Sequence, residues 1–166
     1  MAHNGMSTAT AKRRGYVLDK NGIWRKKTAL EKYYEEGYLE LEGSPFSAEQ
    51  RKKAGEILAR DYYLGNYNKL QSCKIFQLNI RTTGNAGSDR AMYYKERYLH
   101  AVKNIPYEFW PTVYKVCIED MRIDKFEEKN DNSLRIKNRY YCLKVFLCLG
   151  LERLLKYYLQ KNKKSS

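Results

Sequence analysis

Ile136, Tyr140, Leu143, Leu147, Leu151, Leu154 and Tyr158 recur at intervals of three and four residues without a break. That period marks one face of an α-helix. Around the middle of the same stretch Cys142, Val145, Phe146, Cys148 and Leu149 make the opposite face apolar too, and a helix apolar all round is buried all round. Residues 142–155 therefore define a central helix on which the rest of the chain must pack. The longest apolar run, Tyr140 to Leu151, has 12 residues against the roughly 20 that span a bilayer, so burial inside protein is expected rather than a membrane.

Punctuation along the chain supplies four more helices. Thr28 with Glu31 three residues on forms a capping box, and Gly37 stops that helix. Ser47 with Gln50 repeats the device, followed by Ala54, Ile57, Leu58, Asp61, Tyr62 and Leu64 at helical spacing until Gly65. Ser88 and Asp89 open a helix carrying Ala91, Tyr94, Tyr98, Ala101 and Ile105 on one face, ended by Pro106. A fourth is expected from Pro106 to Glu128, with Phe109, Trp110, Val113, Val116, Cys117 and Met121 inward. A turn at 130–132 then leads to Ser133 as the N-cap of the final helix. The fold class is all-α, about five helices around a buried C-terminal helix, with a small N-terminal β-hairpin where Asn21-Gly22 separates two short apolar runs.

Residues 1–15 have no apolar period and read as a disordered basic tail, with a second methionine at Met6. Residues 16–43 form a hairpin and short-helix appendage, 44–160 the helical domain and 161–166 a second basic tail. Residues 66–87, apolar without a helical period, read as an extended connection and a docking surface.

The net charge of +13 is unevenly placed. Residues 1–27 hold seven Lys or Arg and one acid, residues 135–166 nine and one, and the stretch between them sixteen bases against seventeen acids. Charge gathered on two segments is a footprint for DNA, and for RNA. The expected nucleic-acid contacts are Lys12, Arg13, Arg14, Arg25, Lys26, Lys27, Arg135, Lys137, Asn138 and Arg139. The last four stand against the helix dipole, which favours acids at a helix start. With the helix before them they also suggest a helix-turn-helix reader.

The four cysteines, Cys73, Cys117, Cys142 and Cys148, show no C-x-x-C spacing and read as reduced core residues. With no apolar leader, a cytoplasmic protein is expected. His3 lies in the tail and His100 stands alone; no phosphate loop, metal motif or nucleophile motif accompanies them, so neither an enzyme nor a cofactor is expected, nor any small-molecule substrate. Sixteen tyrosines, among them the adjacent pairs Tyr33-Tyr34, Tyr62-Tyr63 and Tyr93-Tyr94, leave room for a non-catalytic adaptor, because tyrosine joins apolar area to a polar tip.

Three blocks together carry a resemblance. Ala54, Gly55, Glu56, Leu58, Asp61 and Tyr62 follow the pattern A-G-E-x-L-x-x-D-[FY]; the segment 88–121 contains Val116-Cys117; and the closing "RIKNRYYCLKVFLCLGLERLLKYY" resembles a helix of the form R-x-x-K-x-x-L-x-x-A-L-x-x-L-x-x-H-Y. Over about residues 44–159 the chain resembles the C-terminal domain of bacterial gene-transfer-agent activators, in its free-standing version. Gly150 stands where that family has Ala, Tyr157 where it has His, and the Trp-Pro before the last helix is replaced around Asn132-Ser133. The resemblance implies a regulator of phage-derived late genes that works on RNA polymerase, with elongation factors as further partners, as antiterminator or activator. The contact would use the near-neutral body, through Glu119, Asp120 and Asp124 or through Lys74, Phe76 and Arg81.

Overall fold

A computed structural model describes residues 8–19, 21–65, 86–126 and 133–163, without the side chains of 86–88, 133–138 and 162–163. Among the described residues, six helices run in the order α1 (Thr8–Arg13), α2 (Ala29–Glu35), α3 (Ala48–Leu64), α4 (Ala86–Lys103), α5 (Trp110–Cys117) and α6 (Ser133–Lys163). Strands β1 (Tyr16–Leu18) and β2 (Trp24–Lys26) lie between α1 and α2, and a 3-10 turn, Ile123–Lys125, follows α5.

The local signals act where the spacing places them. Thr28 accepts from the Glu31 amide while the Glu31 carboxylate takes the Thr28 amide, and Ser47 and Gln50 do the same for α3. Gly37 adopts φ 72°, a region glycine enters without strain. The hairpin forms in the register Tyr16 to Lys26, Val17 to Arg25 and Leu18 to Trp24. Its loop differs from a two-residue Asn-Gly turn. Gly22 alone of that pair has positive φ, its amide reaches the Asp19 carbonyl, and the Asp19 carboxylate caps the Asn21 and Ile23 amides. The hairpin therefore closes between Asp19 and Ile23, through a longer loop that ends in a left-handed glycine.

The core lies where α3, α4 and α5 pack on α6. Leu58, Tyr98, Ala101, Ile105, Val113, Val116, Leu147, Leu151 and Leu154 are buried there, together with Leu30 and Tyr33 of α2. Backbone approach is close enough to require glycine on α6: a Cβ at Gly150 would stand 2.5 Å from Val113 Cγ2. On α3, a Cβ at Gly55 would meet Leu30 at 2.7 Å and Leu151 at 3.1 Å.

Four expectations are corrected. The final helix is not buried all round: Leu147, Cys148, Leu151 and Leu154 are buried, but Tyr141 is 67% exposed, Cys142 is exposed and Val145, Phe146 and Leu149 are half-buried. The cause is length. At 1.5 Å per residue a helix of 31 residues runs about 46 Å, far longer than α5 with 8 or α3 with 17, so its partners cover only part of it. Cys142 is thus no core residue, whereas Cys117 and Cys148 are, and burial lifts the Cys117 thiol to about 12. Cys73 lies outside the described residues.

The helix expected from Pro106 to Glu128 stops at Cys117. Asp120 takes φ 54°, the Met121 amide turns back to the Lys115 carbonyl, and the Asp120 carboxylate accepts the Ala29 amide at 2.5 Å. The turn that follows α5 thus carries a side chain held at the start of α2, and the helix does not run on through the described residues. Third, part of the N-terminal tail is ordered: Thr8–Arg13 is helical and Ala11 is fully buried, because the helix packs on β1. Fourth, α4 begins at Ala86, two residues before Ser88. The remainder of 66–87 and the turn at 130–132 lie outside the described residues.

Candidate nucleic-acid interface

The N-terminal bases are brought together by α1 and the hairpin. Lys12 and Arg13 occupy the last turn of α1, where cations complement the helix dipole, and Arg14 follows them; all three are exposed. Gly15, at φ 75°, turns the chain into β1, and its carbonyl accepts the Lys27 amide at 2.8 Å. The turn that ends α1 is thereby tied to the end of β2, and Lys26 is exposed on that strand.

Arg25 and Lys27 are differently engaged. The Arg25 guanidinium grips both oxygens of Glu31, at 2.8 and 2.5 Å, and Lys27 Nζ sits 2.6 Å from Glu35. The Arg25 hydrogen bond, aided by the Thr28 amide and opposed by burial, draws the Glu31 carboxyl from 4.5 to about 2. These two bases staple the hairpin to α2, and a phosphate would have to compete with a carboxylate for each.

Of the bases at the head of α6, Arg139 is half-buried on the helix, and the side chains of Arg135, Lys137 and Asn138 lie outside the described ones. Among the described side chains, the charge of 139–161 does not form one patch. From Arg139 to Lys161 the helix advances about 33 Å, so its bases are spread along a rod.

Among the residues expected to meet polymerase, Glu119 is exposed. Asp120 caps α2 as described, and Asp124 accepts from Arg122 Nε at 3.0 Å, while Arg122 also reaches Glu36 at 3.2 Å. Two of the three acids are therefore engaged within the fold, Asp120 directly with α2 and Asp124 with the arginine that reaches the end of α2. Lys74, Phe76 and Arg81 lie outside the described residues.

A feature the charge census passes over lies where the end of α3 meets α4 and α6. Asp61, fully buried in α3, takes Arg97 of α4 in a two-pronged grip, Nε to Oδ2 at 2.6 Å and Nη2 to Oδ1. The hydrogen bond to Asp61 raises the Arg97 pKa, so this guanidinium is permanently charged and fixed. It lies 5.3 Å from the ring centres of both Tyr93 and Tyr94, which meet edge to face at 5.4 Å. Arg90 stands 6.0 Å over Tyr94, and Lys161 of α6 stands 5.5 Å over Tyr93. The sequence held the signal in two overlapping i,i+4 pairs, Arg90 with Tyr94 and Tyr93 with Arg97; Lys161 could be added only by the fold.

Each of the three tyrosine pairs has one outward member: Tyr34 is 38% exposed, Tyr63 42% and Tyr93 49%, against 1% for Tyr33. Tyr63 is pinned by its hydroxyl, which donates to the Ile118 carbonyl at 2.8 Å, and Tyr34 lies under Lys52. No group of His, Cys, Asp and Glu able to hold a metal ion occurs among the described residues. Nor is any helix there long and apolar enough to cross a membrane.

These observations define a mostly helical domain with a small antiparallel hairpin, bearing basic and aromatic surfaces. Comparison with protein-family models, with curated proteins and with solved structures gave no match for this chain.

Proposed function

We propose that the protein regulates transcription of phage-like, gene-transfer-agent late genes by binding RNA polymerase and nucleic acid, as an antiterminator or an activator. The observation that carries the reading is the charge map: seven bases against one acid over residues 1–27, with Lys12, Arg13, Arg14 and Lys26 exposed, on a chain whose middle is close to neutral. Exposed cations draw a polyanion whatever its sequence, while a neutral body leaves room for protein contact. The resemblance of residues 44–159 to the activator domain supplies the process. Elongation factors are further partners under antitermination.

The engagement of Arg25, Lys27, Asp120 and Asp124 narrows the proposed contacts. Nucleic acid is met by Lys12, Arg13, Arg14 and Lys26 and by the head of α6, and Glu119 is the acid left for polymerase. A reporter with and without a terminator between promoter and gene tests the reading. An initiation activator raises both transcripts by one factor, whereas an antiterminator raises the terminated one far more. No effect on either, with no polymerase co-purifying, returns the protein to the adaptor class.

A further inference from the structure

Resting on that reading, we infer that the surface formed by Tyr93 and Tyr94 of α4 with Tyr157 and Lys161 of α6 is a binding site for single-stranded nucleic acid. Tyr93 is half exposed, and its ring is held by a neighbour that cannot drift, since Arg97 is locked to buried Asp61 and also donates to the Tyr93 hydroxyl at 3.3 Å. A ring fixed in this way loses little freedom when a base stacks on it. Cations surround it. Arg90 is exposed one turn before Tyr94. Arg153 and Lys161, both exposed, flank Tyr157 at four-residue spacing along α6, and Arg60 is exposed at the adjoining end of α3. On α4 the exposed acids are Asp89 and Glu96, against Arg90, Lys95 and Lys103, and the charge of Asp61 is already matched by Arg97.

Aromatic rings set among arginines and lysines suit a flexible strand whose unpaired bases stack while its phosphates meet the cations. A duplex hides its base faces and has nothing to offer the rings. The Arg97 guanidinium is the positioning group, and Tyr93 is the stacking platform.

The test uses the full chain and labelled 12-nucleotide oligouridine, oligothymidine and a duplex of mixed sequence, with affinity read by anisotropy at fixed salt. Tyr93→Ala should weaken both single strands at least about fivefold, the lower end of the loss expected for one stacked base. Tyr93→Phe, which keeps the ring, should stay within about twofold. Arg90→Glu with Lys161→Glu should weaken the single strands and lower the salt slope by about 1.4. Duplex binding, which belongs to Lys12, Arg13 and Arg14, should not respond to Tyr93→Ala. A preference for oligouridine would identify RNA as the source of the strand, and a preference for oligothymidine DNA. Wild-type affinity in Tyr93→Ala, or an equal loss in Tyr93→Phe, overturns the site while leaving the proposed function intact. Absence of all binding at low salt overturns both.

Discussion

Arg51 of α3 and Glu152 of α6 form a buried pair in which two guanidinium nitrogens share one carboxylate oxygen, Nε at 3.1 Å and Nη2 at 2.5 Å. Two further bonds extend the pair. Arg51 Nη1 donates to the Leu39 carbonyl at 2.8 Å, and the Ser44 hydroxyl donates to Glu152 at 2.5 Å. The network fastens the loop before α3 to both long helices, and with Asp61 and Arg97 it gives α3 a polar tie at each end.

Glu152→Ala is therefore expected to destabilise the fold by about 3 to 5 kcal/mol, because it leaves Arg51 charged, buried and unpaired. The double change Arg51→Met with Glu152→Leu should recover most of that loss, since apolar replacement removes both desolvation costs. Urea unfolding of the wild type and the two variants checks the order. A single variant as stable as wild type would show that solvent reaches Arg51.

Acid should weaken the fold in a defined window. Burial pushes Glu152 up, but the Ser44 hydroxyl and Arg51 outweigh it and hold its carboxyl below the ordinary range; Glu31 falls from 4.5 to about 2. A carboxyl with a depressed folded pKa contributes stability above its unfolded value and loses it as pH falls through the folded one. Stability should thus drop between about pH 4.5 and 2. Arg25→Ala should move the Glu31 titration, followed by NMR, back towards 4.5.

Gly150→Ala should destabilise by about 1 to 3 kcal/mol through overpacking, since the new methyl would stand 2.5 Å from Val113 Cγ2. Adding Val113→Ala should restore part of the loss. Thermal unfolding of the single and double variants measures the coupling, and a neutral Gly150→Ala would mean that α5 and α6 can separate at no cost.

Asp120 distinguishes a structural acid from a partner contact. Asp120→Ala removes the carboxylate that accepts the Ala29 amide and puts alanine at φ 54°, so a loss of about 1 to 2 kcal/mol is expected. Asp120→Asn should lose less, because asparagine keeps an acceptor and tolerates that φ. Glu119→Ala should leave the melting temperature unchanged, and a loss of polymerase co-purification in that variant alone would assign the contact to Glu119.

Duplex binding should weaken with salt along a log-log slope of roughly −4 to −5 if about five phosphates are neutralised. Charge reversal at Lys12, Arg13 and Arg14 should weaken every sequence alike. Lys26→Ala should lower affinity alone, whereas Lys27→Ala should change stability slightly through its ion pair with Glu35. Salt-independent affinity would remove the electrostatic contact.

The sequence by itself determined the parts governed by near neighbours. The capping boxes at Thr28 and Ser47, the stop at Gly37, the hairpin around Gly22 and the stripe from Leu147 to Tyr158 all depend on groups within a few residues or on helical period. Such signals survive in the unfolded chain. The tertiary structure decided what depends on partners far along it. Asp120 is held in the turn after α5 by an amide 91 residues earlier, Arg25 is engaged because α2 brings Glu31 under it, and Cys142 is exposed because no partner helix among the described residues covers that face of α6. The cations at Arg90 and Lys161 meet at Tyr93 and Tyr94 for the same reason: the composition counts charges, and only packing chooses their neighbours.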